Sequence, residues 1–320
     1  MNLANLHMLL NHLPILGTLI TLGVFVVALI GNKNDLKHAC LTLFAFIALA
    51  AIPAYLSGPG AQAAIQESPD VSMAMIEAHQ GAALLAFIFM ELTGAAAVFS
   101  LWRFSSTGKW LTASARASLA VVLAFALVTA GLMGIAGNTG GDIRHPEILA
   151  GQEPSSAIGV MGASLIKSME HFVIDTSQWI WPILEDLHFI GLILLVGTIG
   201  VLNLRVLGFM KRLPIAPLHR FIPWGIAGFI INVITGFLFY LGMPGFYVLN
   251  FVFQLKILAV LLAGGTLLLF YCTSAFRGLE RVGPGEDAAA SAKLIAACSL
   301  LLWLVVIILG PTYRSAKLRS

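Results

Sequence analysis

Eight stretches of this chain are each long enough and apolar enough to cross a lipid bilayer, and that constrains its fold more than any other feature. They run over 13–30, 39–57, 78–102, 116–136, 183–209, 221–243, 249–275 and 291–310. A bilayer-spanning helix needs about 20 apolar residues. Inside the bilayer every backbone N–H and C=O must find a partner within the protein, so such runs become helices or closed barrels. Barrel strands are about 10 residues of alternating pattern; these runs are twice that length and continuous. The expected fold is all-α: a polytopic membrane protein of eight transmembrane helices. The turns between spans are explicit in Gly31-Asn32-Lys33-Asn34-Asp35, Ser57-Gly58-Pro59-Gly60, Gly242-Met243-Pro244-Gly245 and Gly283-Pro284-Gly285.

An even number of spans puts both termini on one side. Loops of the opposite side, with the helix ends next to them, carry Lys33, Lys37, Arg103, Lys109, Arg116, Arg205, Lys211, Arg212, Arg220, Arg277, Arg281 and Lys293, out of 18 Lys and Arg in all. The side of the termini has only Arg144, Lys167, Arg314, Lys317 and Arg319. By the positive-inside rule the first set is cytoplasmic, and both termini are expected in the periplasm of a bacterial inner membrane. Asn2–Leu13 lacks the basic start of a signal peptide, so the first helix is expected to stay in the mature chain. Acidic residues gather on the periplasmic side, a surface suited to a basic soluble partner or simply to solvent. The net charge of +3 is small and spread out and offers nothing to nucleic acid. Cys40, Cys272 and Cys298 fall near the cytoplasmic side and form no C-x-x-C, so they read as packing residues.

The longest loop divides the chain into two four-helix bundles, 1–137 and 183–320, joined by a periplasmic segment at 138–182. Within that segment 160–180 reads as an interfacial helix anchored by Trp179 and Trp181. The halves echo one another. His12 precedes Gly17-Thr18 and His188 precedes Gly197-Thr198, while the second span ends YLSGPG (55–60) and the sixth YLGMPG (240–245). Four spans per unit keep both copies in one orientation, the arrangement of a parallel repeat.

Six of the eight histidines then fall at the periplasmic face: His7, His12, His79, His145, His171 and His188. Imidazole is the commonest metal ligand, and one placed at a helix end in a membrane marks a functional site. On a continuous helix His7 and His12 lie about 140° apart and cannot share one ligand position. His12 and His79 fall at matching depth on neighbouring spans, the arrangement that holds a b-type haem at both axial positions. Ala82, Ala83 and Ala86 follow His79 on one face, leaving room for a flat ring or letting helices pack closely. His145 follows a Gly140-Gly141 turn that could fold it back over the bundle. His188 opens the fifth span at similar depth, while His171 reads as a surface residue. Glu91 lies mid-span about 18 Å beyond His79 by helix rise, a place for a proton relay or quinone pocket or for a buried neutral carboxyl. Lys256 is placed to meet a haem propionate, an acidic residue or a quinone, or to snorkel to the interface. Met8, Met73, Met75 and Met169 near histidines give copper as the alternative metal, though methionine is also ordinary apolar filler.

HMLLNHLPILGT (7–18) resembles the start of an uncharacterised bacterial four-helix membrane family whose first helix reads His-Pro-x-x-x-His-Phe-Pro, with a further histidine opening its third helix. His7, His12, Pro14 and His79 match; Met8 and Leu13 stand where that family has proline and phenylalanine. The second half resembles another uncharacterised membrane family, with Leu-His-x-x-Gly-Leu at 187–192 and a variant of Asp-Leu-Arg-Leu-Leu-Gly at 203–208, where Asn203 replaces the aspartate. Both are similar to four-helix b-type cytochromes, a resemblance that implies haem and electron transfer. The expectation is a chain that binds one or two b-type haems, with His12 and His79 as the axial pair and His7, His145 and His188 as further candidates. It would act as an electron-transfer subunit of a respiratory complex rather than a stand-alone enzyme. Its expected partners are the quinone pool, a periplasmic c-type cytochrome or dehydrogenase, and other subunits. The alternatives are a copper or other metal-ion protein and a cofactor-free scaffold subunit.

Overall fold

The computed structural model describes residues 3–67, 71–107, 112–145, 156–248, 250–272 and 282–317. Every regular element among them is helical. Among the described residues eight helices are long and apolar enough to cross a membrane: Ala4–Ile30, Asn34–Ile65, Met73–Phe104, Ala113–Ile143, Ala157–Ile174, Ile180–Leu207, Ile222–Gly242 and Ala290–Gly310; of the expected span 249–275 the shorter apolar stretch Phe251–Thr266 is among them, and 273–275 lie outside the described residues. Large apolar side chains such as Ile20, Val27, Ile193 and Leu301 stand exposed along them. The chain is an all-α, multi-pass membrane protein whose outward faces suit lipid.

Two compact units form, Met1–Ser168 and Met169–Ser320. The first holds α1 (Leu3–Ile30), α2 (Asn34–Leu56), the short α3 (Gly58–Ile65), α4 (Met73–Thr107) and α5 (Ala113–Arg144). The four long helices make a closed ring in which α1 packs on α2 and α5, α2 on α4, and α4 on α5. The ring closes because its inner faces carry small residues and interlocking aromatics. A Cβ at Gly94 would collide with the Ala48 methyl across the α2–α4 seam. Phe25 meets Phe44 edge-on at 5.7 Å, and Tyr55 stacks on Phe87 at 4.5 Å. Hydroxyls inside the ring are paired: Thr93 with Thr129 at 2.9 Å, and Thr18 donating to the Met90 sulfur at 3.3 Å. Thr112 caps α5 by accepting from the Ala115 amide.

The first helix does not begin at residue 13, next to Pro14. α1 runs from Leu3 straight through it, a site in a membrane helix where neighbouring groups make a missing amide tolerable. Likewise α5 continues through Gly140 and Gly141 to Arg144 instead of turning there.

A further helix, α6 (Ala157–Ile174), ends before Trp179 and Trp181, which sit at the start of the next helix rather than on α6. The division between units falls within α6. Its first half packs backbone to backbone on α4: side chains at Gly81, Gly159 or Gly162 would land on carbonyl groups of the facing helix. The ion pair Lys167–Glu77 flanks this contact at 2.8 Å. α6 thus has the length and hydropathy of a span, where the sequence suggests a helix lying at the interface.

The second unit holds α7 (Ile180–Leu207), α8 (Ile215–Leu218) leading into a 3-10 turn at His219–Phe221, α9 (Ile222–Gly242), α10 (Pro244–Val248), α11 (Phe251–Cys272) and α12 (Ala290–Lys317). α7 packs on α9 and α12, and α12 on α11. The α7–α9 seam is the tightest: a Cβ at Gly191 would lie 2.9 Å from the Gly228 carbonyl, and one at Gly228 would lie 2.6 Å from the Gly191 carbonyl. Among the described residues α9 and α11 make at most marginal direct contact and are bridged by α10. At the far end α7 finishes on Gly208, whose φ of +100° suits glycine. Arg205, fully buried, donates to the carbonyls of Leu213 (2.5 Å), Gly283 (3.0 Å) and Glu286 (3.4 Å). Asn203 donates to Ser299 of α12 at 3.0 Å, whereas Asn232 bonds within its own helix, to the Gly228 carbonyl.

Candidate functional site

The first bundle brings two histidines together at the end where α1 and α4 begin. α1 and α4 stand diagonally in the ring, so their first turns face each other across its interior. The rings of His7 and His79 lie 6.2 Å apart between centroids at an interplanar angle of 84°. His7 lies against the last turn of α2, where carbonyls lack intrahelical partners. Its Nδ1 is 3.1 Å from the Ala54 carbonyl and 2.8 Å from the Ser57 hydroxyl, which itself donates to Ala54. His79 reaches α5, where Nδ1 lies 3.0 Å from the Ala136 carbonyl and 3.3 Å from Thr139 Oγ1. Gly140 makes that reach feasible, because a Cβ there would sit 3.1 Å from the His79 ring. A carbonyl oxygen can only accept, so each Nδ1 carries the hydrogen and each Nε2 keeps its lone pair. This is the state of a metal-binding imidazole, oriented by a bond from its other nitrogen.

The ring brought to face His79 is thus that of His7, where the sequence suggests His12. His12 is exposed, and its Nδ1 turns back to the Met8 carbonyl of its own helix. The face formed by Ala82 and Ala86 is also taken: both are buried in the helix core, and Gly81 beside them packs on α6. Close helix packing, rather than space for a ring, explains those alanines. His145 caps the end of α5 in an exposed position. His171 is exposed and pairs with Asp175 one turn on, at 3.3 Å. A cleft of about 440 Å³ runs along α5, lined by Gly131, Gly134, Ile135, Asn138, Thr139, Asp142 and Ser156, and shares Thr139 with the His79 anchor. Glu91 stands alone mid-span, with a buried Oε1 that has no hydrogen-bonding partner among the described residues.

The second bundle treats His188 in the same way. Its Nδ1 lies 2.8 Å from Thr235 Oγ1 on α9. The Thr235 hydrogen is directed to the Ile231 carbonyl at 2.7 Å, so the threonine accepts and Nδ1 donates. Phe239 flanks the imidazole at 5.9 Å, with Trp181 behind it at 4.8 Å. Lys256 lies in the second turn of α11.

The anchors Ser57, Ala54, Ala136, Thr139 and Thr235 are not apparent from sequence. Their signals, a Ser-Gly-Pro turn and a Thr-Gly-Gly step, read there only as chain turns. Among the described residues no three of His, Cys, Asp and Glu gather closely enough to hold a metal ion. No family model, curated protein or solved structure matches this chain.

Proposed function

We propose that this protein carries electrons within a bacterial inner membrane, using a b-type haem held by His7 and His79 at the end of its first bundle. The observation that carries the reading is the facing imidazole pair, each ring fixed through Nδ1–H to a neighbouring helix. The two rings lie 6.2 Å apart between centroids with each Nε2 left as a lone pair, so His7 and His79 would be the residues to hold the haem iron. Two protein ligands would suffice for haem, whereas an ion held by protein alone commonly needs three or four. Haem, when bound, supplies a one-electron couple, and the protein's part is to bind, orient and shield it.

The distribution of Lys and Arg supports placing this end at the periplasmic face, with both termini periplasmic. The reading then has electrons pass between a periplasmic c-type cytochrome or dehydrogenase and the quinone pool, with the chain acting as one subunit of a larger respiratory complex. The resemblance of both halves to four-helix b-type cytochromes points the same way. A visible spectrum of the purified protein tests the reading. A Soret band with sharp α bands on dithionite reduction is expected. A colourless protein at full occupancy overturns it, and bound copper found by metal analysis would then favour the metal-ion alternative.

A further inference from the structure

Glu91 sits mid-span in α4 and takes no part in the histidine pair. Three contacts define where it stands. Gln80 donates to Gln62 of α3 at 2.6 Å, Phe87 stacks on Tyr55 of α2 at 4.5 Å, and a Cβ at Gly94 would collide with the Ala48 methyl of α2. Each step of seven residues along α4 is matched by a step of seven back along α3 and α2, so the seam is antiparallel and keeps one register. Gln80, Leu84, Phe87 and Glu91 fall within about 40° of one another around α4. Glu91, one turn past Phe87, therefore stands on this seam at the level of Ala51, which is buried. Its Oε1 is buried without a hydrogen-bonding partner among the described residues.

No cation of the neighbouring helices is placed to pair with it. α1 carries no Asp, Glu, Lys, Arg or His between His12 and Lys33, α2 none after His38, α5 none between Arg116 and Asp142, and the first half of α6 none. On α4 itself Glu91 stands alone between His79 and Arg103. Tyr55 is the titratable group of α2 on this seam, one turn nearer the histidines. A lone carboxylate at this depth is costly, and a bound proton removes the charge. The two directions along the seam also differ. Away from the histidines Gly94 lies against Ala48, and the buried Phe44 and Leu41 of α2 follow. Towards the histidines come the Tyr55 phenol and then the half-buried Gln62–Gln80 pair, next to His79 in the chain. A phenol and an amide each both donate and accept hydrogen bonds.

We propose that Glu91 is a proton-binding site inside the membrane, loaded and emptied from the histidine end of the bundle along the α2–α4 seam. The exchange is an acid–base step: the carboxyl gives a proton to water at that end and takes one back, and no other bond is made or broken. By helix rise the path from Gln80 to Glu91 is about 16 Å. The site works with or without haem, so its failure and that of the electron-carrier reading are told apart.

The test uses the purified full chain in phosphatidylcholine nanodiscs. Infrared spectra are recorded as H2O is replaced by D2O, and parallel samples are treated with dicyclohexylcarbodiimide, a lipid-soluble reagent for protonated carboxyls, and peptide-mapped. A carboxylic C=O band that is absent from Glu91→Gln and shifts in D2O is expected, with carbodiimide label on Glu91. Gln80→Leu and Gln62→Leu should each slow the D2O shift severalfold and leave the band and the label in place. Ser100→Ala, beyond Glu91 on α4, should exchange as the wild type does. No band difference between wild type and Glu91→Gln, a band that does not shift in D2O, no label on Glu91, or equal exchange rates in wild type and both glutamine variants would overturn the assignment.

Discussion

The two bundles fix a histidine by the same device and set different residues opposite it. In the first, His7 is tied to the end of α2 and faces His79 across a closed ring of helices. In the second, His188 is tied to Thr235 of α9, and the ring beside it is that of Phe239. A pair of lone-pair nitrogens in a sealed bundle suits a resident metal cofactor. The contrast teaches that one way of anchoring an imidazole can serve two different surroundings.

The largest expected effect breaks the comparison outright if it fails. His7→Ala and His79→Ala should each abolish or strongly shift the haem absorbance of the purified protein, while His12→Ala and His188→Ala leave it in place. Loss of the band in His188→Ala would mean that the second bundle also holds haem. Loss in His12→Ala with retention in His7→Ala would restore the pairing suggested by the sequence.

Next in size is a packing test. Gly228→Leu drives a side chain into the Gly191 carbonyl and should cost on the order of 1–3 kcal/mol, read as a lower melting temperature in detergent. The absorbance of the first bundle should survive in the fraction still folded. Gly23→Leu, at a position with nothing within 4 Å, should melt like wild type. A smaller change follows Thr235→Val, which removes the acceptor from His188 at a cost of about 1 kcal/mol. Nitrogen-15 spectra of labelled histidine should show one ring losing its fixed Nδ1–H form; an unchanged spectrum would dissolve the likeness between His7 and His188.

The smallest effect concerns the far end of the second bundle, where Asp287 accepts from Lys211 and Lys293 at 2.7 Å each. Those two bonds hold its carboxyl down to about 2. A value depressed in the folded state means that the contribution is present above the ordinary carboxylate range and fades as pH falls from about 4 towards 2. The group is exposed, so Asp287→Asn should lower the melting temperature only slightly at pH 7, and the gap to wild type should close on acidification. A gap that widens in acid would contradict the assigned pairing.

Much of the architecture is legible in the sequence because a bilayer leaves few options for an apolar run of 20 residues. The glycine of Leu187-His188-x-x-Gly191-Leu192 is legible too, since its place beside the histidine matches the close α7–α9 crossing. The facing pair of histidines was less so. A first span starting at residue 13 sets His12 at the membrane edge, but α1 begins at Leu3 and carries His7 inward to His79. Which face of α1 turns inward depends on contacts with α2 and α5, which no local pattern records. The alanines after His79 had two readings from spacing alone, and only the approach of α2 and α6 decides between them. His188 was found by its place at a helix start; its anchor Thr235 lies 47 residues away.

Arg205 carries a consequence for how the chain is made. Its guanidinium is satisfied by carbonyls 8, 78 and 81 residues downstream. On a ribosome adding about 5–20 residues per second, the latter two emerge several seconds after the first. Throughout that interval a cation meant for full burial has one of its three protein partners. The burial of Arg205 is therefore completed only when the segment before α12 arrives. A nascent chain halted before Gly283 should be cleared by proteases that spare the completed protein.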